Sequence, residues 1–293
     1  MRVLLVFAAS ASVLAQQPAF RAETRLVVLH ATVQNERGEL VPGLDRSAFT
    51  VYENGKAQPI AVFAPDDVPV SLGLIIDNSA SMRASRGAVE AAAHALVQAS
   101  NPGDEVFVVN FADTPRIDVP FTGDLAALAR GLRRIDSIGG TALLDAVALS
   151  ERYLEQGTRD RKVLVVVSDG RDNSSVTTIQ AVEREAERKA VVIFAIGLSN
   201  DPARPASHPE LHRLTAHTGG VAHFPAHPGE ITAAALDIAR QIRSQYTIAY
   251  EPLNRSMDGS FRRIRVAVSG RAHLSVRTRA GYVASARERA AGL

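Results

Sequence analysis

Two apolar runs in this chain stop abruptly at a carboxylate, and they narrow the fold more than any other feature. Leu72 to Ile76 ends in Asp77-Asn-Ser-Ala-Ser81, and Lys162 to Val167 ends in Ser168-Asp169-Gly170. Short continuous apolar runs fit strands buried on both faces, as in a parallel sheet covered by helices. The intervening chain alternates to match. Ser85–Ser100 is Ala-rich, with Val89, Ala92, Ala93, Leu96 and Val97 at helical spacing. Asp104–Phe111 and Val191–Ile196 read as strands, and Val221–Phe224 as a short one. Leu125–Ile135, Thr141–Gln156, Thr177–Lys189, His208–His217 and Glu230–Ser244 read as helices. This alternation predicts an α/β fold, a doubly wound and mainly parallel sheet between helices.

In such a sheet the strand ends and the loops after them share one rim, where ligands bind. Asp77, Ser79 and Ser81 are spaced by two, so an extended or turning segment presents their oxygens to one side. Thr141 follows Gly139-Gly140 at a predicted helix start, where glycine allows close backbone approach. Asp169 adds a second carboxylate. These are hard oxygen donors without His or Cys, suited to Mg²⁺ or a similar ion. Asp and Ser equally favour polar turns and helix N-caps. Judged from the Asp77–Ser81 segment alone, the two readings stand level.

Asp77-x-Ser79-x-Ser81, then Thr141 after Gly-Gly, then Asp169 in Ser-Asp-Gly, resemble the metal-ion-dependent adhesion site of von Willebrand factor type A domains. All five positions match, and the resemblance spans roughly Val68 to Ser244. It implies a Rossmann-like domain with Mg²⁺ (or Mn²⁺) on its upper rim. Ser79 and Ser81 would ligate directly, and Asp77, Thr141 and Asp169 directly or through water. The resemblance leaves one metal position for an Asp or Glu carboxylate of a protein partner. It also implies that a bound partner draws the ion toward Thr141 and shifts the last helix. Asp145, one turn after Thr141, either supports the ion's surroundings or favours a helix start electrostatically; the first is preferred.

The termini differ from this centre. Thr24–Val33, Phe49–Tyr52 and Pro59–Phe63 are strand-like, and Glu53-Asn-Gly55 predicts a hairpin joining the last two. Three strands are too few to close a sandwich. Gln245–Glu251, Phe261–Val268 and Ala272–Thr278 supply the rest, and Ile264, Val266 and Val268 alternate with Arg263, Arg265 and Ala267 to give one buried and one wet face. The expectation is a β-sandwich built from residues 16–67 and 245–283, with the α/β domain 68–244 inserted and a tail over 284–293. Gly43-Leu44, Phe49, Val51, Glu53, Gly55 and Arg279-Ala-Gly-Tyr282 resemble a bacterial subgroup of secreted proteins with a related A domain.

Met1-Arg2 and the apolar Val3–Leu14 have the length and flank of a signal peptide, with Val13-Leu-Ala15 before Gln16 as a cleavage site. Residues 1–15 are therefore expected to direct export, periplasmic or secreted, leaving a mature chain with no transmembrane segment. A net charge of +2 gives no case for nucleic acid. The absence of cysteine excludes disulfides, thiolate nucleophiles and Cys-ligated metals.

His208 and His212 lie four apart but lack the Glu of a zinc-protease motif, and read as solvated histidines. Asp113 reads as a solvated loop residue, with flanking a neighbouring ion the alternative; Asn78 and Asn110 lie near the rim. No His–Ser pairing and no Gly-Lys phosphate loop accompany the oxygens. The reading is a non-enzymatic, metal-dependent protein-binding or adhesion module. The alternatives are a structural envelope protein that does not need metal, and a metal-dependent hydrolase.

Overall fold

The computed structural model describes residues 26–65, 67–132, 139–169, 172–198, 208–269 and 274–284. The predicted export signal and most of the tail lie outside the described residues. In chain order the elements are β1 (Val27–Gln34), β2 (Phe49–Glu53), β3 (Lys56–Gln58), β4 (Ile60–Ala64), β5 (Val70–Asp77), α1 (Arg86–Gln98), β6 (Glu105–Phe111) and β7 (Pro115–Thr122). There follow α2 (Leu125–Leu132), α3 (Leu143–Tyr153), β8 (Arg161–Ser168), α4 (Ile179–Lys189), β9 (Val191–Gly197), α5 (Pro209–Thr218), β10 (Ala222–His223) and α6 (Ile231–Arg243). The chain closes with β11 (Tyr246–Tyr250), β12 (Phe261–Val268), β13 (Ser275–Arg277) and β14 (Gly281–Val283).

The central sheet runs β10-β9-β8-β5-β6-β7, parallel except at β7. All eight residues of β5 are buried, as a middle strand covered on both faces requires. Leu72, Leu74 and Ile76 pack under α1, α2 and α6, while Ile75 packs with α3, α4 and α5 on the opposite face. Gly73 makes room there. A Cβ at this position would stand 2.5 Å from the Phe107 ring and 2.6 Å from Leu164. The antiparallel edge strand β7 is the one strand of this sheet that the sequence reading missed. Pro115 and Pro120 break a strand pattern, but an edge strand with one unpaired side tolerates them.

The terminal segments form two four-stranded antiparallel sheets among the described residues, β13-β1-β11-β4 and β14-β12-β2-β3. Each contains strands from both ends of the chain, and they share one core of Leu29, Val51, Tyr246, Ile248, Tyr250, Ile264 and their neighbours. The Glu53 carboxylate is buried in it and accepts hydrogen bonds from the Tyr250 hydroxyl at 2.8 Å and the Tyr282 hydroxyl at 2.9 Å. Asn54-Gly55 forms the expected turn with both residues at positive φ. Its second strand is corrected, however. Lys56–Gln58 pairs with β2, and Ile60–Ala64 crosses Pro59 to join β11 in the other sheet. Arg263 and Arg265 lie on the wet face, the latter over the Tyr52 ring at 4.1 Å.

A buried cation ties the base of the central sheet to the segment where α6 leads into β11. Arg161, at the start of β8, donates to the Ile242 carbonyl and the Gln245 side-chain oxygen, both at 2.8 Å, and to the Val68 carbonyl at 3.3 Å. Burial lowers its pKa to about 10.

Glu151 on α3 is fully buried, and neither carboxyl oxygen has a hydrogen-bond partner among the described residues. Burial, then the nearby Glu185 carboxylate, pushes its pKa from 4.5 up to about 8. The unfolded chain therefore releases this proton first, and folding is penalised progressively across that window. Glu151→Met is expected to stabilise the protein by on the order of 3 kcal/mol at pH 7. The gain should be nearly absent at pH 4.5 and largest above pH 8, read by urea unfolding at each pH.

Candidate metal centre

The end of β5 is a buried carboxylate. Asp77 is fully buried, its Oδ2 accepts from the Ser168 hydroxyl at 2.6 Å, and its Oδ1 accepts from the Ser79 amide at 2.8 Å. Burial raises its pKa, the Ser168 and Ser79 hydrogen bonds oppose this, and the neighbouring Asp169 charge raises it further. The Asn78 amide donates to the Phe111 carbonyl at 2.7 Å, tying the turn to the end of β6. Beneath the turn the Arg86 guanidinium reaches the Asn78 side chain and donates to the Leu132 carbonyl at 2.7 Å.

The hydroxyls of the turn after Asp77 have the following partners. Ser79 stands at the N-cap of a 3₁₀ turn over Ala80–Ala84, yet makes no side-chain capping bond. Its hydroxyl lies 3.0 Å from that of Ser81, and Ser81 donates to Asp169 Oδ1 at 2.9 Å. Asp77, Ser79, Ser81 and Asp169 thus form one continuous chain of oxygens across the ends of β5 and β8.

Thr141 comes in from a third segment and is buried. Its amide donates to Asn173 Oδ1 at 2.8 Å, and its carbonyl accepts from the Asn173 amide at 3.1 Å. Gly139 has φ +108°, and the Gly140 amide donates to Asp113. A Cβ at Gly140 would fall 2.3 Å from the Ser174 hydroxyl and 2.6 Å from Asn173 Oδ1, so the close approach needs glycine.

The sequence reading missed the segment that holds Thr141. Ala142 cannot cap α3. Instead Asp172 Oδ2 accepts from the Leu144 amide at 2.8 Å, and the Ser175 hydroxyl accepts from the Asp145 amide at 3.0 Å. Two orphan donors of the first turn are met from another loop. The run Asp172-Asn-Ser-Ser175, all turn and cap residues, was the available signal.

Asp145 belongs to this arrangement. Its carboxylate accepts from the Thr177 amide at 2.9 Å and the Val176 amide at 3.1 Å. Burial alone would raise its pKa, but the Thr177 and Val176 hydrogen bonds prevail and lower it. It pins the loop, and no hydrogen bond joins it to the five predicted ligands among the described residues. His208 Nε2 lies 2.8 Å from the Leu198 carbonyl and His212 stacks on Phe224 with centroids 4.4 Å apart, so both are engaged in packing.

Among the described residues no three His, Cys, Asp or Glu side chains group as a metal cage would. The centre instead combines two carboxylates with hydroxyls. Two like charges beside a hard-oxygen chain fit a divalent cation, which would relieve their repulsion.

Residues 72–171 match the family model of the von Willebrand factor type A domain. No curated protein matches the sequence. Among solved structures, a von Willebrand factor type A protein from Catenulispora acidiphila is similar at TM-score 0.54 and 14% identity, over 90% of this chain and 75% of that one. The vWF domain of the type V pili tip protein Mfa5 from Porphyromonas gingivalis is similar at TM-score 0.50 and 16% identity, over 60% and 95%. Proximal thread matrix protein 1 from the mussel byssus, with a zinc-occupied MIDAS motif, is similar at TM-score 0.53 and 16% identity, over 65% and 49%. At such identities the likeness establishes fold. The centre of the chain thus has the fold of a von Willebrand factor type A domain.

If Asn173 fixes Thr141, Asn173→Ala should weaken Mg²⁺ binding about tenfold, the cost of roughly one charge-free hydrogen-bonded contact. Titration calorimetry reads the loss. An unchanged affinity would mean that the Gly139-Gly140 backbone suffices to place Thr141.

Proposed function

We propose that the protein is an exported, non-enzymatic binding module whose rim cation recognises an acidic side chain of a partner protein. The observation that carries this reading is the oxygen chain Asp77–Ser79–Ser81–Asp169, closed by hydroxyls that leave their helix uncapped. Ser79 and Ser81 would hold Mg²⁺ or Mn²⁺ directly. Asp77, Thr141 and Asp169 would hold it directly or through water. When bound, the cation supplies an electrophilic position that a carboxylate can fill. The two protein carboxylates roughly neutralise a divalent charge, so an incoming anion is attracted without being locked in.

The chain's own residues favour binding over turnover. The Ser79 and Ser81 hydroxyls are engaged with each other and with carboxylates, and no histidine is among their partners in the described residues. A hydrolase would need a positioned acid or base beside its nucleophile. In this reading the α/β unit 68–244 does the binding, and the sandwich from 16–67 and 245–283 carries it. Export rests on the apolar Val3–Leu14. Among the described residues no helix is long and apolar enough to cross a membrane.

Calorimetric titration of the metal-stripped protein with Mg²⁺ and Mn²⁺ tests the site. Saturable binding near one equivalent is expected, lost in Asp77→Ala with the circular dichroism spectrum preserved. Binding that survives the substitution would remove Asp77 from the ligand set. Interaction with partners that persists in chelator would favour the envelope-scaffold reading.

A further inference from the structure

The segment from β13 to β14 passes from one terminal sheet to the other. Its first strand pairs with β1 and its second with β12. Between them the chain crosses the base of the central α/β layer. Arg277 Nε donates to the Gly219 carbonyl at 3.2 Å, its Nη2 donates to the Gln241 side-chain oxygen, and Arg279 Nη1 donates to the Glu187 carbonyl at 3.1 Å. The backbones also approach closely. Gly219 has φ +85°, and a Cβ there would stand 2.7 Å from the Thr278 carbonyl carbon and 2.8 Å from the Arg279 nitrogen. Two demands thus fall on this glycine, the left-handed end of α5 and the passage of the chain over it.

The carbonyls that these arginines reach lie at helix ends. A helix leaves its last carbonyls without partners, and its C-terminal dipole favours a cation. The α1 end is met by Arg243 on the Ala99 carbonyl at 3.1 Å, the α3 end by Lys189 on the Glu151 carbonyl at 2.9 Å, and the α6 end by Arg161. Those three cations belong to the central layer itself. For α4 and α5 the cation comes from outside it, Arg279 for the first and Arg277 for the second. The far end of the segment is fastened in the sandwich core, where the Tyr282 hydroxyl donates to the buried Glu53. Arg279 lies over the Tyr282 ring, 5.8 Å from its centroid, so the two ends of Arg279-Ala-Gly-Tyr282 are in contact. We infer that residues 277–282 are a strap that locks the central α/β layer and the sandwich into one cooperative unit, with Arg277 and Arg279 as its attachment points. Joined domains ordinarily move relative to one another unless a large apolar interface holds them. Here two guanidiniums hold them by completing helices that the central layer leaves open. The inference does not depend on a bound metal.

The test is made on the full chain by calorimetry and hydrogen exchange. Wild type is expected to unfold in one transition, with calorimetric and van't Hoff enthalpies equal. Arg277→Met/Arg279→Met should split this into two transitions and raise exchange in α4 and α5 about tenfold, the scale of one lost charge-assisted hydrogen bond, while α1 stays as it was. Arg213→Met is the control. It removes the Arg213–Glu183 pair, which joins α5 to α4 inside the central layer, and should leave a single transition. Milder variants cover a double variant that does not fold. Arg277→Lys keeps the charge without the planar fork and should loosen α5 but not α4, and Arg279→Lys the reverse. Two transitions in wild type, one transition with unchanged exchange in the double variant, or Lys variants that loosen all helices alike would each overturn the inference.

Discussion

A carboxylate taken fully out of water at the end of the central strand is the constraint on which this structure turns. Asp77 cannot be left there without partners, because an unpaired buried charge is costly. Ser168 on β8 and the Ser79 amide supply two hydrogen bonds. Asp169 then brings a like charge nearby, which makes the pair less favourable unless a cation joins it. The repulsion follows from strand order. β5 and β8 are parallel neighbours in register, with Ile76 opposite Val167, so acids that follow them must meet at one rim. The arrangement sets two like charges at one rim, a repulsion that a cation there would relieve.

The third segment is held by a different principle. α3 begins with Leu143-Leu144 after Ala142, a start with no side chain able to cap it. Borrowed caps from Asp172 and Ser175 solve this and at the same time fix the loop after Asp169 against the helix after Thr141. The two outer segments of the site become one hydrogen-bonded unit. Thr141 needs no contact of its own with β5 to be placed, because its backbone is clamped on both sides by Asn173.

How far the site was legible follows from this distinction. The strand-end acids could be read directly, since apolar runs and an abrupt polar break survive any packing detail. Ser79 and Ser81 could not be separated from ordinary caps on their own segment, because one residue type serves both purposes; the ordered pattern with Thr141 and Asp169 set them apart, and the structure adds that Ser79 makes no capping bond. Asp145 was placed near the site by helical spacing, but its actual partners, the Val176 and Thr177 amides of a loop thirty-odd residues away, are ones that spacing cannot reveal. In the fold, β7 was hidden by Pro115 and Pro120, whose penalty vanishes at a sheet edge. The hairpin turn was legible from Asn54-Gly55, but not that Pro59 would send the next strand to the opposite sheet. That crossing is set by the shared sandwich core.

The same two strands that end at the rim begin at the sandwich. β8 starts with Arg161, bonded to Ile242 and Gln245 where α6 passes into β11, and β5 starts with Val70, two residues after Val68 whose carbonyl takes the third bond. Eight residues of strand separate this base from the rim, about 26 Å. Arg suits the position better than Lys, because its planar group can satisfy several carbonyls at once and stays charged when burial lowers its pKa.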